Sequence, residues 1–380
     1  MRKATMGFAA AGAALLAWTG TAAAQQEFAA YPAPAARHAV TVATVAEGLD
    51  SPWGMAFLPD GAILVTERTG KLRVVRNGAL SPQPVAGLPE IEEYGQGGLL
   101  DVALHPDFAR NRFVYITYAE KAEDGRRTAL GRFSLANGRA EGFQVLYRGP
   151  TVATRLHFGS RIAFGPDGKL YLTHGERGQK DRSQDLGDPA GSVLRLNDDG
   201  TVPQDNPFAG RPGAAPEIFS YGHRNPQGMA FQPGGARLWA VEHGPQGGDE
   251  VNVVKAGANY GWPVITYGRN YGTGTKIGEG TEKAGMEQPL TYFVPSLALA
   301  GMTFYQGSKL PNWQGDMVVA LLAGGIARLD VEEDRVVAAE RLLEDELGRT
   351  RHVAVSPDGT LYALVDAPAP EGKLVRITAK

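Results

Sequence analysis

The chain reads as all-β, a six-bladed β-propeller of four-stranded antiparallel blades, and three observations predict that class. Glycine and proline are abundant, 50 and 25 in 380 residues, against an average usage of about 7% and 5%. They punctuate short apolar runs, the pattern of many strands joined by turns. One phrase, an apolar strand, a Pro-Asp-Gly turn and a second apolar strand, recurs six times at a spacing of about 60 residues. A 43% hydrophobic fraction with 21% charged residues supplies a core and excludes disorder, collagen or coiled coil as a description of the whole. A single blade cannot bury both faces of its sheet, whereas a ring of six can. A pair of β-sandwiches explains six matched repeats poorly.

Taken in order, residues 1–24 read as a removed signal peptide. Arg2 and Lys3 give a positive start, residues 6–18 are apolar or small, and Thr21-Ala-Ala-Ala24 offers a small-residue cleavage site before Gln25. The alternative is a helical anchor left in place, but an anchor needs about 20 apolar residues and no later segment is long enough. The mature chain is expected in the periplasm or secreted, without membrane insertion. It has no cysteine, so no disulfide assists the core. Residues 25–38 form a lead-in and residues 39–380 a single propeller domain. The alternating run 39–45 suits a strand that closes the ring in the last blade.

The six copies then follow. The first is Gly54-Met-Ala-Phe-Leu-Pro-Asp-Gly61 with 62–66 and a third strand at 71–75. The second is Leu100-Asp-Val-Ala-Leu-His-Pro-Asp-Phe108 with 113–118. The third is Arg161-Ile-Ala-Phe-Gly-Pro-Asp-Gly168 with 170–173 and 191–196. The fourth is Gly228-Met-Ala-Phe-Gln-Pro-Gly-Gly235 with 237–241. The fifth is degraded, Gly301-Met-Thr-Phe-Tyr305, a turn through Pro311-Asn-Trp313, then 316–320. The sixth is His352-Val-Ala-Val-Ser-Pro-Asp-Gly359 with 361–365 and 372–377.

Loops that enter inner strands meet at one mouth of such a ring. Four of them, 94–99, 154–160, 221–228 and 348–352, bring Gln96, His157, Arg224 with Asn225, and Arg349 with Arg351 to equivalent places. Polar side chains converging from separate blades make a pocket for a polar ligand. His157 titrates near neutrality and can take a proton from a hydroxyl; the plainer alternative is a hydrogen bond to a neighbouring blade. His105 lies in a turn between strands, and His174, His223 and His243 are neighbours of the mouth. Arg349 and Arg351 flank one threonine, so an extended chain points both to one face. Two guanidiniums there suit a ligand with several carboxylates, although solvated charges are the ordinary alternative.

The stretch Glu242-His-Gly-Pro-Gln-Gly-Gly-Asp-Glu250 is a glycine-rich loop with free carbonyls and the hard oxygens of Asp249 and Glu250. That donor set suits Ca²⁺, or else marks an acidic surface turn. No spacing suits zinc, no strand-to-helix glycine loop suits a nucleotide, and no Gly-x-Ser-x-Gly appears. A net charge of −3 argues against nucleic acid or an anionic membrane as partner.

Gly95-Gln-Gly-Gly-Leu-Leu-Asp-Val-Ala-Leu-His-Pro-Asp-Phe108, His157-Phe-Gly-Ser-Arg161, Gly222-His-Arg-Asn-Pro-Gln-Gly228, His243-Gly-Pro245 with Asp249-Glu250, and Asn259-Tyr-Gly-Trp262 resemble the soluble glucose/sorbosone dehydrogenases. Within them, the match is to the periplasmic aldose sugar dehydrogenases that use pyrroloquinoline quinone (PQQ). The resemblance runs in order over essentially the mature chain. It implies that His157 is the general base at the sugar C1 hydroxyl and that Arg224 and Asn225 bind the reacting end of the quinone. It implies Gln96 beside base and substrate, and Arg349 and Arg351 on the cofactor's carboxylates. Gly244 and Pro245 match carbonyl ligands of a cofactor-bound Ca²⁺; Glu250 and Tyr260, with Asp249 adjacent, match the region of a second, structural Ca²⁺. The implied partners are an aldose substrate and an external electron acceptor, with the chain a monomer or homodimer.

The pattern departs from the family in three places. Leu322 stands where a lysine on the quinone is expected, Phe293 where a tryptophan is usual, and Ala298-Leu-Ala300 where Ala-Pro-Ser often follows. A lost cationic contact would cost about 1.5–3 kcal/mol of cofactor binding. Two other readings therefore stand beside the dehydrogenase: a non-redox sugar- or ligand-binding propeller that has lost the cofactor, and a Ca²⁺-dependent lactonase using a metal-bound water. The glycine-rich insert 267–289 either shapes substrate access or is a solvated loop.

Overall fold

The computed structural model describes residues 39–333 and 335–380; the leader and lead-in read from residues 1–38 lie outside the described residues. Twenty-four strands form six four-stranded antiparallel sheets, with two short helices, Phe108–Asn111 and Glu344–Leu347, among the described residues. The six-bladed propeller read from the repeats is the observed architecture. Each blade begins at the centre with the first half of a repeat: Pro52–Phe57, Leu99–Leu104, Ile162–Phe164, Pro226–Phe231, Leu299–Phe304 and Thr350–Val355.

The ring closes as the alternation of 39–45 predicts, by a strand that runs further, Val40–Leu49. It pairs antiparallel with Gly372–Ala379, Val40 opposite Ala379 and Leu49 opposite Gly372. The last blade is thus built from both ends of the described chain.

The repeat's turn has a backbone reason. Gly61, Gly168 and Gly359 all have positive φ, +83°, +72° and +79°, where only glycine is unstrained. The same hydrogen bonds recur: Gly61 N–H to Leu58 O at 2.9 Å, Gly168 to Gly165 at 2.9 Å, Gly359 to Ser356 at 2.8 Å. The glycine that opens several inner strands answers a different demand. A Cβ on Gly228 would stand 2.3 Å from the Ala300 carbonyl oxygen of the next blade, so inner strands approach too closely for any side chain there.

The core lies between blades. Trp239, Phe293, Phe304 and Val319 pack blade four on blade five, Trp239 meeting Phe304 edge-on with centroids 5.7 Å apart. Phe293 is fully buried in that cluster, so its departure from tryptophan bears on packing between blades. At the centre, one ion pair ties four blades together. Arg161 (blade three) donates to Asp101 Oδ1 (blade two) at 2.8 Å and to Gln227 O (blade four) at 3.1 Å. Its guanidinium lies 4.1 Å over the ring of Trp53 in blade one.

Candidate active site

Two neighbouring cavities open at the mouth. The larger, about 340 Å³, is lined by Gln96, Phe158, Asn225, Arg349 and Arg351 from the four predicted loops, with Arg68 and Leu322 in its wall. The smaller, about 210 Å³, is lined by His157, Arg224 and Pro245, with Glu176 beside them. The dipeptides His157-Phe158 and Arg224-Asn225 divide them, each giving one residue to either cavity.

His157 is held from three sides. Its backbone is left-handed, φ +51°, and its N–H donates to Gln96 Oε1 at 2.7 Å. The ring Nδ1 lies 2.6 Å from Glu176 Oε1, which places the proton on Nδ1 and leaves Nε2 as the acceptor. Burial pushes the imidazole below its ordinary value, while the Glu176 hydrogen bond opposes that shift. A neutral, oriented imidazole in a partly dry cavity is equipped to take a proton. The loop beneath is clamped by Arg177, whose Nε and Nη2 donate to the Leu156 and Thr154 carbonyls at 3.0 and 3.1 Å. Burial pushes that guanidinium down to about 9.

Arg224 is anchored at both ends, its backbone N–H on Glu242 Oε2 at 2.7 Å and its Nη1 on the His243 carbonyl at 3.1 Å. Asn225 Oδ1 accepts from Gly159 N–H and Gln227 Nε2, both at 3.2 Å. Arg349 and Arg351 share one face as the spacing predicts, but they also share a carboxylate that the sequence reading missed. Asp366 Oδ2 accepts from Arg349 Nε at 2.9 Å and from Arg351 Nη2 at 2.8 Å. Burial pushes Arg351 down to about 10. His243 stays neutral at the cavity wall, pushed down to about 3 by burial and the nearby arginines.

Three cations, Arg68, Arg349 and Arg351, line the larger cavity with the carboxylate Asp366, Arg68 also pairing with Glu93 at 2.8 Å, a chemistry that fits a planar polycarboxylate such as PQQ.

The candidate metal residues separate into different jobs. Pro245 faces the cavity of His157. A Cβ on Gly244 would sit 2.3 Å from both the Gly247 and Gly248 carbonyl oxygens, so the loop folds back on itself too tightly for any side chain there. Glu250 and Tyr260 line a third cavity of about 10 Å³ with Glu242 and Gly248, the size of one water or ion. Burial, then the Glu242 carboxylate, push Glu250 up to about 8, the signature of an acid short of a counter-charge. Asp249 is otherwise engaged: it accepts from Gly244 N–H, Ser296 Oγ and Ala298 N–H at 3.0, 2.7 and 2.6 Å, and so braces the loop. The Tyr260 hydroxyl is taken up by Val253 O, to which it donates at 2.5 Å. Among the described residues no three His, Asp or Glu side chains gather as metal ligands, so a cation here would rest largely on carbonyls.

Arg68, Glu176 and Asp366, missed from sequence, share a position with His243 and Leu322, which the sequence does single out. Each follows, within two residues, the second strand of a blade, after Ile63–Glu67, Leu170–His174, Leu361–Val365, Leu238–Glu242 and Met317–Leu321 respectively. Antiparallel pairing returns those exits to the mouth where the inner strands begin, so half of the site is carried there.

The glucose/sorbosone dehydrogenase family model matches residues 49–376. The chain belongs to that family. It is 42% identical over 354 residues to the aldose sugar dehydrogenase YliI of Escherichia coli K12, covering 91% of this chain and 95% of that protein. The apo soluble aldose sugar dehydrogenase of Escherichia coli superposes with a TM-score of 0.87 at 41% identity, over 90% of this chain and 100% of that one. The PQQ-bound aldose sugar dehydrogenase of Streptomyces coelicolor superposes with a TM-score of 0.76 at 30% identity, over 92% and 100%. Against this glucose/sorbosone dehydrogenase background, Leu322 is the departure that falls in the cavity wall.

Proposed function

We propose that the chain is an exported quinoprotein dehydrogenase that oxidises aldose sugars at C1 to lactones. The observation that carries this reading is the neutral His157, oriented by Glu176 beside a cavity walled by Arg349, Arg351 and Asn225; a similar protein with PQQ bound supports it. His157 Nε2 takes the C1 hydroxyl proton while Glu176 stabilises the imidazolium that forms. Gln96 fixes the backbone of the base. Arg224 and Asn225 would hold the reacting end of the cofactor and offset negative charge growing there, and Arg349 and Arg351 would hold its carboxylates. Bound PQQ supplies a two-electron acceptor for the hydride leaving the sugar carbon. The carbonyls of Gly244 and Pro245 would hold a Ca²⁺ against it, and Glu250 with the Tyr260 carbonyl a second, structural Ca²⁺. The leader at residues 1–24 directs the chain to the periplasm or outside. No helix among the described residues is long and apolar enough to cross a membrane. An external acceptor reoxidises the enzyme, which works as monomer or homodimer.

The test is titration of the apo protein with PQQ, with and without Ca²⁺, following reduction of an artificial acceptor by glucose. Saturable, Ca²⁺-dependent turnover near one quinone per chain is expected. A folded protein that binds no quinone would overturn the reading in favour of a non-redox sugar-binding propeller, for which Leu322 is the supporting residue.

A further inference from the structure

Arg177 lies wholly buried under the loop of His157, and it is met by backbone carbonyls and an aromatic ring rather than by a paired carboxylate. Its Nη1 has no hydrogen-bond partner among the described residues. A buried charge with so little compensation is costly, so something else must favour an arginine there.

What it holds is the chain around the base. Nε donates to Leu156 O at 3.0 Å and Nη2 to Thr154 O at 3.1 Å, while the guanidinium lies 3.4 Å over the ring of Phe158. These contacts bracket His157 on both sides. The Thr154 hydroxyl closes the clamp by donating to Arg177 O at 2.6 Å. Both backbones are left-handed, φ +51° at His157 and +61° at Arg177, a conformation that non-glycine residues keep only where their surroundings enforce it. The two segments lie flush, since a Cβ on Gly175 would stand 2.1 Å from His157 O. Phe158 is wedged in turn, since a Cβ on Gly97 would stand 2.6 Å from its ring. A planar fork suits this task. The point charge of a lysine cannot bond two carbonyls in fixed directions while stacking on a ring.

The charge acts as well as the shape. His157 faces Glu176, Arg224 and Arg177, with His243 close by and Lys180 lining the same cavity. Arg177 itself faces Arg182 and Glu176, with His174 close by. Of the groups around the imidazole, Glu176 raises its basicity, whereas Arg224 and Arg177 lower it.

We propose that Arg177 is a positioning residue for the base: its guanidinium fixes the chain on both sides of His157 and so sets where Nε2 stands against the sugar hydroxyl. This rests on the aldose dehydrogenase reading and deepens it. Glu176 aims the ring of the base, and the next residue in the chain holds its backbone.

The experiment measures kcat, KM for glucose and their pH dependence in the PQQ- and Ca²⁺-loaded wild type, Arg177→Met, Arg177→Lys and Thr154→Val. Fluorescence titration with PQQ and the imidazole NMR signal of His157 are recorded on the same apo proteins. Both Arg177 variants should lose about 10²-fold in kcat, the cost of a misplaced reacting group, with KM and PQQ affinity unchanged. The acid limb should move to higher pH in Arg177→Met, which loses the charge, and stay in Arg177→Lys, which keeps it. Thr154→Val should lose about fivefold in kcat, one hydrogen bond's worth. Wild-type kcat in Arg177→Lys, or a loss that appears in KM alone, would overturn the proposal. If Arg177→Met does not fold, the lysine and valine variants decide it in the same way. A wild type that turns over no aldose would sink the dehydrogenase reading instead. The NMR signal then decides the positioning alone: a displaced His157 signal in Arg177→Lys supports it and an unmoved one overturns it.

Discussion

His157 Nδ1 and Glu176 Oε1 stand 2.6 Å apart in a site where both side chains are almost wholly buried. The carboxylate does two things to the imidazole: it fixes the tautomer, and it opposes the fall in basicity that burial imposes.

Glu176→Gln should therefore lower kcat/KM by about 10²-fold, the low end for general acid–base catalysis, with PQQ affinity unchanged. Wild-type kcat/KM should keep its acid limb below pH 6.5, because the base works when neutral and burial lowers its pKa. Removing the carboxylate removes an interaction that raises that pKa, so the limb should move lower still. A pH profile that loses amplitude without moving would reduce Glu176 to a packing role.

Leu322→Lys should tighten PQQ binding and Arg351→Met should weaken it, each by about 1.5–3 kcal/mol, the worth of a hydrogen bond to a charged group. Fluorescence titration of the apo proteins reads both. If Leu322→Lys binds no better, the cations already lining the cavity meet the cofactor's charge, with Arg68 the added one.

Asp101→Ala should cost about 3–5 kcal/mol of stability, because it strands the buried Arg161 guanidinium without its counter-charge. Urea unfolding measures it. A loss below about 1 kcal/mol would mean that the contacts to Trp53 and Gln227 suffice.

His174 is fully buried, pushed down to about 4 chiefly by burial. Its unfolded counterpart takes a proton near pH 6.5, so between those values the unfolded chain binds more protons and stability falls as pH drops. Compared with the wild type, His174→Asn should lose less stability between pH 6.5 and about 4. The difference between the two melting curves isolates this group from Glu250, whose raised value acts in the opposite sense. Parallel curves would refute the assignment.

Ca²⁺ should raise unfolding free energy by about 2.7 kcal/mol at a hundredfold excess over its Kd, and Mg²⁺ by less, since the site is carbonyl-rich and irregular. Glu250→Gln should abolish the share due to the small cavity. Thermal melts in chelator, Ca²⁺ and Mg²⁺ test this, and equal stabilisation of wild type and variant would discard Glu250 as a ligand.

The propeller was legible because its repeat carries its own physics: Pro-Asp-Gly marks a turn whose glycine must be left-handed, and apolar strands flank it. Gln96, His157, Arg224 and Asn225 were legible because they precede recognisable inner strands. Glu176 and Asp366 were not, since a lone acid after a strand looks the same whether it braces a base or meets solvent. Their meaning comes from pairing across a blade, which a linear string does not display. Asp249 was legible as a hard anionic oxygen donor, but not the three donors of its own chain that its carboxylate accepts from.

The closing strand pair joins Thr41 to Thr378, residues 337 apart in the chain. The ribosome makes one partner long before the other, and the entropy of bringing them together grows with the chain between them. Until Gly372–Ala379 emerges, Val40–Leu49 has an unpaired edge that any other chain's strand can occupy. Emergence of Gly372–Ala379 thus latches the ring, and a chain without that strand would be a sticky one.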